Sequence, residues 1–176
     1  MEWSCPECGL DYGTLHPPIA INAIKSFPRR YAEALAPRPD EDTDALVRTR
    51  PSEGVWSPLE YAAHVADVME PFAVTIERMN TQDDPDLSDV FWDQDARAVD
   101  KAYNAKPVDD VLAQLKTDAA RVVDEAEKVD ARSWSRTAQF PWGERDMLVM
   151  LQNAVHEGVH HLKDLERGLE QVRARS

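Results

Sequence analysis

The chain has little of what an extracellular scaffold, a membrane protein or a nucleic-acid binder needs. Only 2 of its 176 residues are cysteine, too few for a disulfide framework. Both lie in one C-x-x-C, Cys5 and Cys8, a spacing that in a reducing compartment points to metal or redox chemistry. No apolar run approaches the roughly 18 to 20 residues that cross a bilayer, and the opening "MEWSCPECG" has neither a basic nor an apolar leader segment. A cytoplasmic location is expected. Positive charge is in deficit, with 20 Lys and Arg against 33 Asp and Glu for a formal charge of -13. That balance repels phosphate backbones and anionic lipid, so neither nucleic acid nor membrane is expected as a partner. Glycine numbers only 6, and the period-two alternation of strands is nearly absent.

What is present is helical periodicity. One segment opens at Pro17-Pro18, where proline suits a first turn, and carries Ile21, Ile24, Phe27 and Tyr31, with Pro28 inside it. A second opens at Ser57-Pro58, with Glu60 placed for a reciprocal cap, and carries Val65, Val68, Phe72 and Ile76. A third follows Pro107 through Val111, Leu115 and Val122; a fourth runs from about Glu144 to the C-terminus through Leu151, Val155, Leu162 and Leu165. Residues 81–105 form an acidic connection with aromatics and room for a short helix. This pattern predicts an all-α fold: a four-helix bundle with a long crossover over residues 17–176, preceded by a CxxC arm over residues 1–16. Such bundles build metal sites from side chains on facing helices.

The fourth segment contains "VHEGVHHLKDL", in which His156, Glu157 and His160 spell the H-E-x-x-H of zinc proteases. The third protein ligand that a protease requires has no source, because Asp164, Glu166 and Glu170 all continue on the same helix. A di-iron site is also poorly served: the second helix offers Glu60 and His64 at a spacing of four rather than three. At 100° per residue, measured from Leu151, His156 and His160 fall roughly 140° and 180° from the apolar stripe. Glu157 and His161 lie at about 120° and 80°, nearer the core, and His64 sits about 80° off the stripe of its own helix. Glu157, His161 and His64 therefore form the better-placed ligand set, with His156 and His160 as the alternative pair. Their N and O donors suit Zn, Ni or Fe(II). A merely solvated, histidine-rich helix face also satisfies the periodicity.

"CPECG" has the shape of a zinc-ribbon knuckle but lacks two ligands. His16 and Asp11 are the nearby candidates for a second site with Cys5 and Cys8, a dimer partner is another source, and free thiols or a reversible disulfide are the alternative.

"VWSPLEYAAHVADV", with Trp56 eight residues before His64, and "HEGVHHLKDL" resemble the two signatures of the DinB-like superfamily, which includes mycothiol-dependent maleylpyruvate isomerases and bacillithiol S-transferases. The resemblance implies a divalent metal, commonly Zn or Ni, held by His64 and by a pair on the last helix. The isomerase-like E-x-x-x-H-x-x-D-L is matched by Glu157, His161, Asp164 and Leu165. It further implies a thiol-dependent transferase or isomerase acting on a small molecule, with mycothiol or a related thiol as cofactor, and it admits a homodimer. Glu60 and Asp164 are candidates to orient the imidazoles, with a helix cap and a surface ion pair as the alternatives, and Arg29 and Arg30 are candidates to meet a substrate carboxylate, with plain solvated charges as the alternative. A non-catalytic metal-binding bundle serving stress response or interaction, and a metallohydrolase with Glu157 as general base, are the rival readings.

Overall fold

The computed structural model describes residues 3–175. Its frame is four long helices: α1 (Pro17–Ala34), α3 (Pro58–Thr81), α5 (Val108–Glu127) and α6 (Met147–Arg173), with short α2 (Thr43–Arg48) and α4 (Gln94–Asp100) in the connections. Local chemistry sets the starts. Pro17 and Pro18 occupy the first positions of α1, where an amide hydrogen would have no helical partner. The Ser57 hydroxyl accepts from the Glu60 amide at 3.2 Å while a Glu60 carboxylate oxygen accepts from the Ser57 amide at 2.8 Å. This closes the reciprocal cap that the sequence predicts for α3.

α3 packs on α5 and α6, and α1 packs on the same two helices, so α1 lies diagonally across the bundle from α3 and α5 diagonally from α6. Consecutive long helices are therefore not always neighbours, and the connections must cross the ends of the bundle. Apolar side chains fill the centre, among them Ile24, Phe27, Tyr31, Met69, Leu115 and Met150, each no more than 1% exposed. Among the described residues no helix is long and apolar enough to cross a membrane.

The crossover from α3 to α5 is fixed by a buried acid. Asp67, 1% exposed on α3, accepts from Arg97 Nε at 2.8 Å, Lys101 Nζ at 2.6 Å and the Tyr103 hydroxyl at 2.7 Å. Burial alone would raise its pKa, but these three donors hold it down at about 2.

The fourth helix starts later than its periodicity suggests. Residues Thr137–Phe140 (β1) and Gly143–Asp146 (β2) form an antiparallel hairpin instead of a first helical turn. Ala138 and Phe140 turn inward, a two-residue alternation too short to stand out. Pro141 opposes a helix there, Gly143 takes a φ of 107° open to few other residues, and Asp146 then caps α6 by accepting from the Val149 amide at 2.7 Å.

The N-terminal arm is a small hairpin folded back along α6. Its strands meet through Tyr12 N to Trp3 O and Cys5 N to Leu10 O, both 2.9 Å, and Gly9 N closes the turn onto Cys5 O at 2.8 Å. Gln152 Nε2 donates to the Tyr12 and Leu15 carbonyls at 3.0 and 3.1 Å, and Lys163 Nζ to the Cys8 carbonyl at 2.7 Å.

Candidate metal centres

Helix α3 presents His64, 3% exposed, to the middle of α6. Its Nε2 lies 3.1 Å from Glu157 Oε2, and His161 Nε2 lies 3.2 Å from the same oxygen. One ligand atom from each of the three residues falls within 4.8 Å of the others, the separation expected around a single ion. A closer approach of the helices is set by Gly158 between the two α6 residues: the buried Phe27 ring lies over its Cα, and the Tyr31 hydroxyl donates to its carbonyl at 2.9 Å. Glycine is required here because of contact with α1.

The imidazoles are braced from behind. His161 Nδ1–H donates to Asp164 Oδ2 at 3.0 Å, the carboxylate–imidazole pairing that fixes a ligand's ring and leaves Nε2 facing the centre. Tyr61 stacks on His161 with ring centroids 5.4 Å apart, and Trp56 packs on His64 at 5.2 Å. Burial pushes the Glu157 carboxyl up, but hydrogen bonds from His161 and His64 hold it well below the ordinary carboxylate range. Burial likewise opposes a charge on His161, yet Asp164 and Glu157 beside it raise its pKa to about 9. His64 Nδ1 is buried without a hydrogen-bond partner. Donors of this kind, two neutral-capable imidazoles and a carboxylate, fit a divalent Zn, Ni or Fe(II) ion and leave positions for a further ligand.

Beside His64 and Glu157 opens a cleft of about 250 Å³ whose walls include Phe72, Phe91, Trp92 and Trp142, with Gln94 and Asn153 as polar groups. The crossover supplies Phe91, Trp92 and Gln94, and the hairpin turn supplies Trp142. Sequence periodicity identifies none of these as site residues. The available signal is the concentration of aromatics in the two non-helical connections.

The expected roles of several residues change. His16 and Asp11 do not join the cysteines: both are exposed, His16 at the N-cap of α1 and Asp11 accepting from the Gly13 amide at 2.9 Å. His156 and His160 instead face the arm, where their ligand atoms gather with those of Cys5 and Cys8 within 4.8 Å. The Glu60 carboxylate is held by its cap and by Arg50, whose Nε and Nη2 donate to it at 2.8 and 2.5 Å. Arg29 pairs with exposed Glu33, and neither Arg29 nor Arg30 lines the cleft.

Comparison with known proteins bears on the fold. YfiT from Bacillus subtilis, described as a probable metal-dependent hydrolase with an unusual four-helix bundle topology, superposes with a TM-score of 0.70 at 17% identity, over 86% of each chain. The mycothiol-dependent maleylpyruvate isomerase gives 0.66 at 18% identity, over 88% of this chain but only 62% of that one. TT2238, a four-helix bundle protein, gives 0.60 at 24%, over 86% of this chain and 99% of that one. No curated protein matches the chain. At these identities the structural neighbours speak for the fold. The family model of the DinB superfamily matches residues 24–165, from the first helix through the last of the imidazole pairs, and the chain therefore belongs to the DinB superfamily.

Proposed function

We propose that His64, Glu157 and His161 hold a divalent metal ion, Zn or Ni before Fe, and that the protein uses it in thiol-dependent transfer or isomerisation of a small molecule bound in the adjoining cleft. The observation that carries this reading is the convergence of the three side chains at the edge of an aromatic-walled cavity. Bound there, the ion would act as a Lewis acid that favours the deprotonated form of a thiol or water at neutral pH. The chain's own groups supply the remainder. Asp164 orients His161, Tyr61 and Trp56 restrict the imidazoles, and the aromatic wall excludes water from an apolar reactant while Gln94 and Asn153 offer hydrogen bonds to its polar end. A low-molecular-weight thiol such as mycothiol is the proposed second reactant.

A metallohydrolase, the description carried by YfiT, needs Glu157 free as a general base. The carboxylate oxygen of Glu157 between two imidazole nitrogens favours its service as a ligand instead. The test is Glu157→Gln with metal content and activity read together, using tag-free protein, mycothiol and an electrophilic small molecule. Loss of metal from Glu157→Gln, with thiol consumption by the loaded wild type, supports the proposal. Retained metal with lost water-dependent turnover supports the hydrolase. A metal-loaded wild type that consumes no thiol and hydrolyses nothing leaves a metal-binding bundle without catalysis.

A further inference from the structure

We propose that Cys5, Cys8, His156 and His160 form a second metal site, a tetrahedral S2N2 site for zinc that staples the N-terminal arm to α6. The proposal is independent of the function assigned to His64, Glu157 and His161.

The four ligand atoms come from two segments about 150 residues apart in sequence, yet all lie within 4.8 Å of one another. Cys5 Sγ is 3.6 Å from His160 Nδ1. Around tetrahedral zinc, with Zn–S of about 2.3 Å and Zn–N of about 2.0–2.1 Å, a sulfur and a nitrogen are separated by roughly 3.5 Å. The observed distance is too long for a strong neutral hydrogen bond and suits two ligands of one ion. The remaining pairs of ligand atoms also lie within 4.8 Å.

Three further observations point to a ligand. His156 Nε2 is buried with no hydrogen-bond partner, although its ring is held by Trp3, Tyr12 and His160 at centroid distances of 5.5, 6.1 and 5.0 Å. A buried imidazole nitrogen without a partner costs free energy that a metal bond would offset. His160 Nε2 has Asp164 Oδ2 at 3.5 Å and Glu7 Oε2 at 3.6 Å, negative surroundings that favour a cation at this ring. The arm also has the knuckle backbone that thiolate sites use: the amides of Glu7 and Cys8 face the Cys5 sulfur and that of Leu10 faces Cys8, while Gly9 at a φ of 71° makes the turn.

The donor chemistry selects the ion. Two thiolates neutralise a 2+ charge, two imidazoles complete a closed four-coordinate shell, and hard cations that prefer oxygen are excluded. Both cysteines are 5% exposed, which suits a structural role. The arm is too short for a core of its own, so a metal that bonds both segments would account for its fixed position. Through Tyr12, whose hydroxyl donates to Asn153 Oδ1 at 2.8 Å, the staple would also steady a polar wall of the cleft.

The test is cobalt substitution with zinc analysis on tag-free, full-length protein. Wild type reloaded with Co2+ is expected to show the near-ultraviolet thiolate-to-cobalt charge-transfer absorption and the intense visible bands of four-coordinate cobalt. His64→Ala should keep both features, whereas Cys8→Ser should lose them and carry one zinc fewer per chain than wild type. His156→Ala should weaken zinc binding by at least about tenfold. Wild type that lacks the thiolate band overturns the proposal, as does a native Cys5–Cys8 disulfide, or a His156→Ala variant that binds zinc as tightly as wild type. If Cys8→Ser fails to fold, the wild-type spectrum still decides, because His64, Glu157 and His161 contain no sulfur.

Discussion

Replacing Gly158 with alanine sets two physical effects of opposite sign against each other. Within a helix the substitution is ordinarily stabilising by about 1 kcal/mol, since alanine loses less backbone freedom than glycine. Here an alanine Cβ would stand 2.2 Å from Cε2 and Cζ of Phe27 and 2.7 Å from Cδ2. Phe27 is 0% exposed, so the ring cannot swing out into solvent, and either it or α6 must move by roughly 1 Å. Overpacking of this kind costs about 1–3 kcal/mol or more, and the clash is severe enough to place it at the upper end. We expect Gly158→Ala to be destabilised by about 2 kcal/mol net, lowering Tm by roughly 4–8 °C for a domain of this size. The assay is thermal and urea unfolding of metal-free protein, so that ion binding does not contribute. Phe27→Leu removes the distal ring atoms, and in that background the penalty of Gly158→Ala should shrink by about half or more. A Tm at or above wild type for Gly158→Ala would refute the reasoning, since it would mean that α1 and α6 separate at almost no cost.

Asp67 gives the pH prediction. Its folded-state pKa of about 2 lies below the ordinary 3.8, so its contribution, about 2 kcal/mol, is fully present above pH 4 and fades as pH falls through 2. Asp67→Asn should therefore unfold at lower urea than wild type at pH 6, and the gap should narrow towards pH 2.5; a constant gap would contradict the titration. Asp164→Asn removes the carboxylate that His161 Nδ1 donates to and is expected to weaken metal binding by about 10–100-fold in chelator competition; an unchanged affinity would remove Asp164 from that role. Gly9→Ala places a side chain at a φ of 71° and should cost about 1–2 kcal/mol of the arm's local stability, read as faster amide exchange in residues 5–12; unaltered exchange would argue against the turn as drawn.

Much of the frame was legible because helices declare themselves locally. The Ser57–Glu60 cap, the apolar stripes and the placement of His64 all follow from spacing of three and four. Register on α6 likewise separates Glu157 and His161 from His156 and His160. It could not say that the second pair also meets partners, because nothing local indicates that an arm from the other end of the chain covers that face. Proximity in sequence favoured His16 for the cysteines, whereas a tight knuckle directs both sulfurs out of the turn, toward whatever packs on it. The hairpin between α5 and α6 leaves little trace in the sequence since each strand has only four residues. The cleft leaves as little, because its aromatic walls come from connections without periodicity.

The two pairs in HEGVHH are offset by a single residue, which has a mechanical consequence. On one rigid rod they project about 100° apart, so a twist of α6 about its own axis that draws one pair toward its partners swings the other away. The arm and α3 thus meet α6 at two angles about its axis, so releasing the arm would remove one of the restraints on rotation of the helix that carries Glu157 and His161.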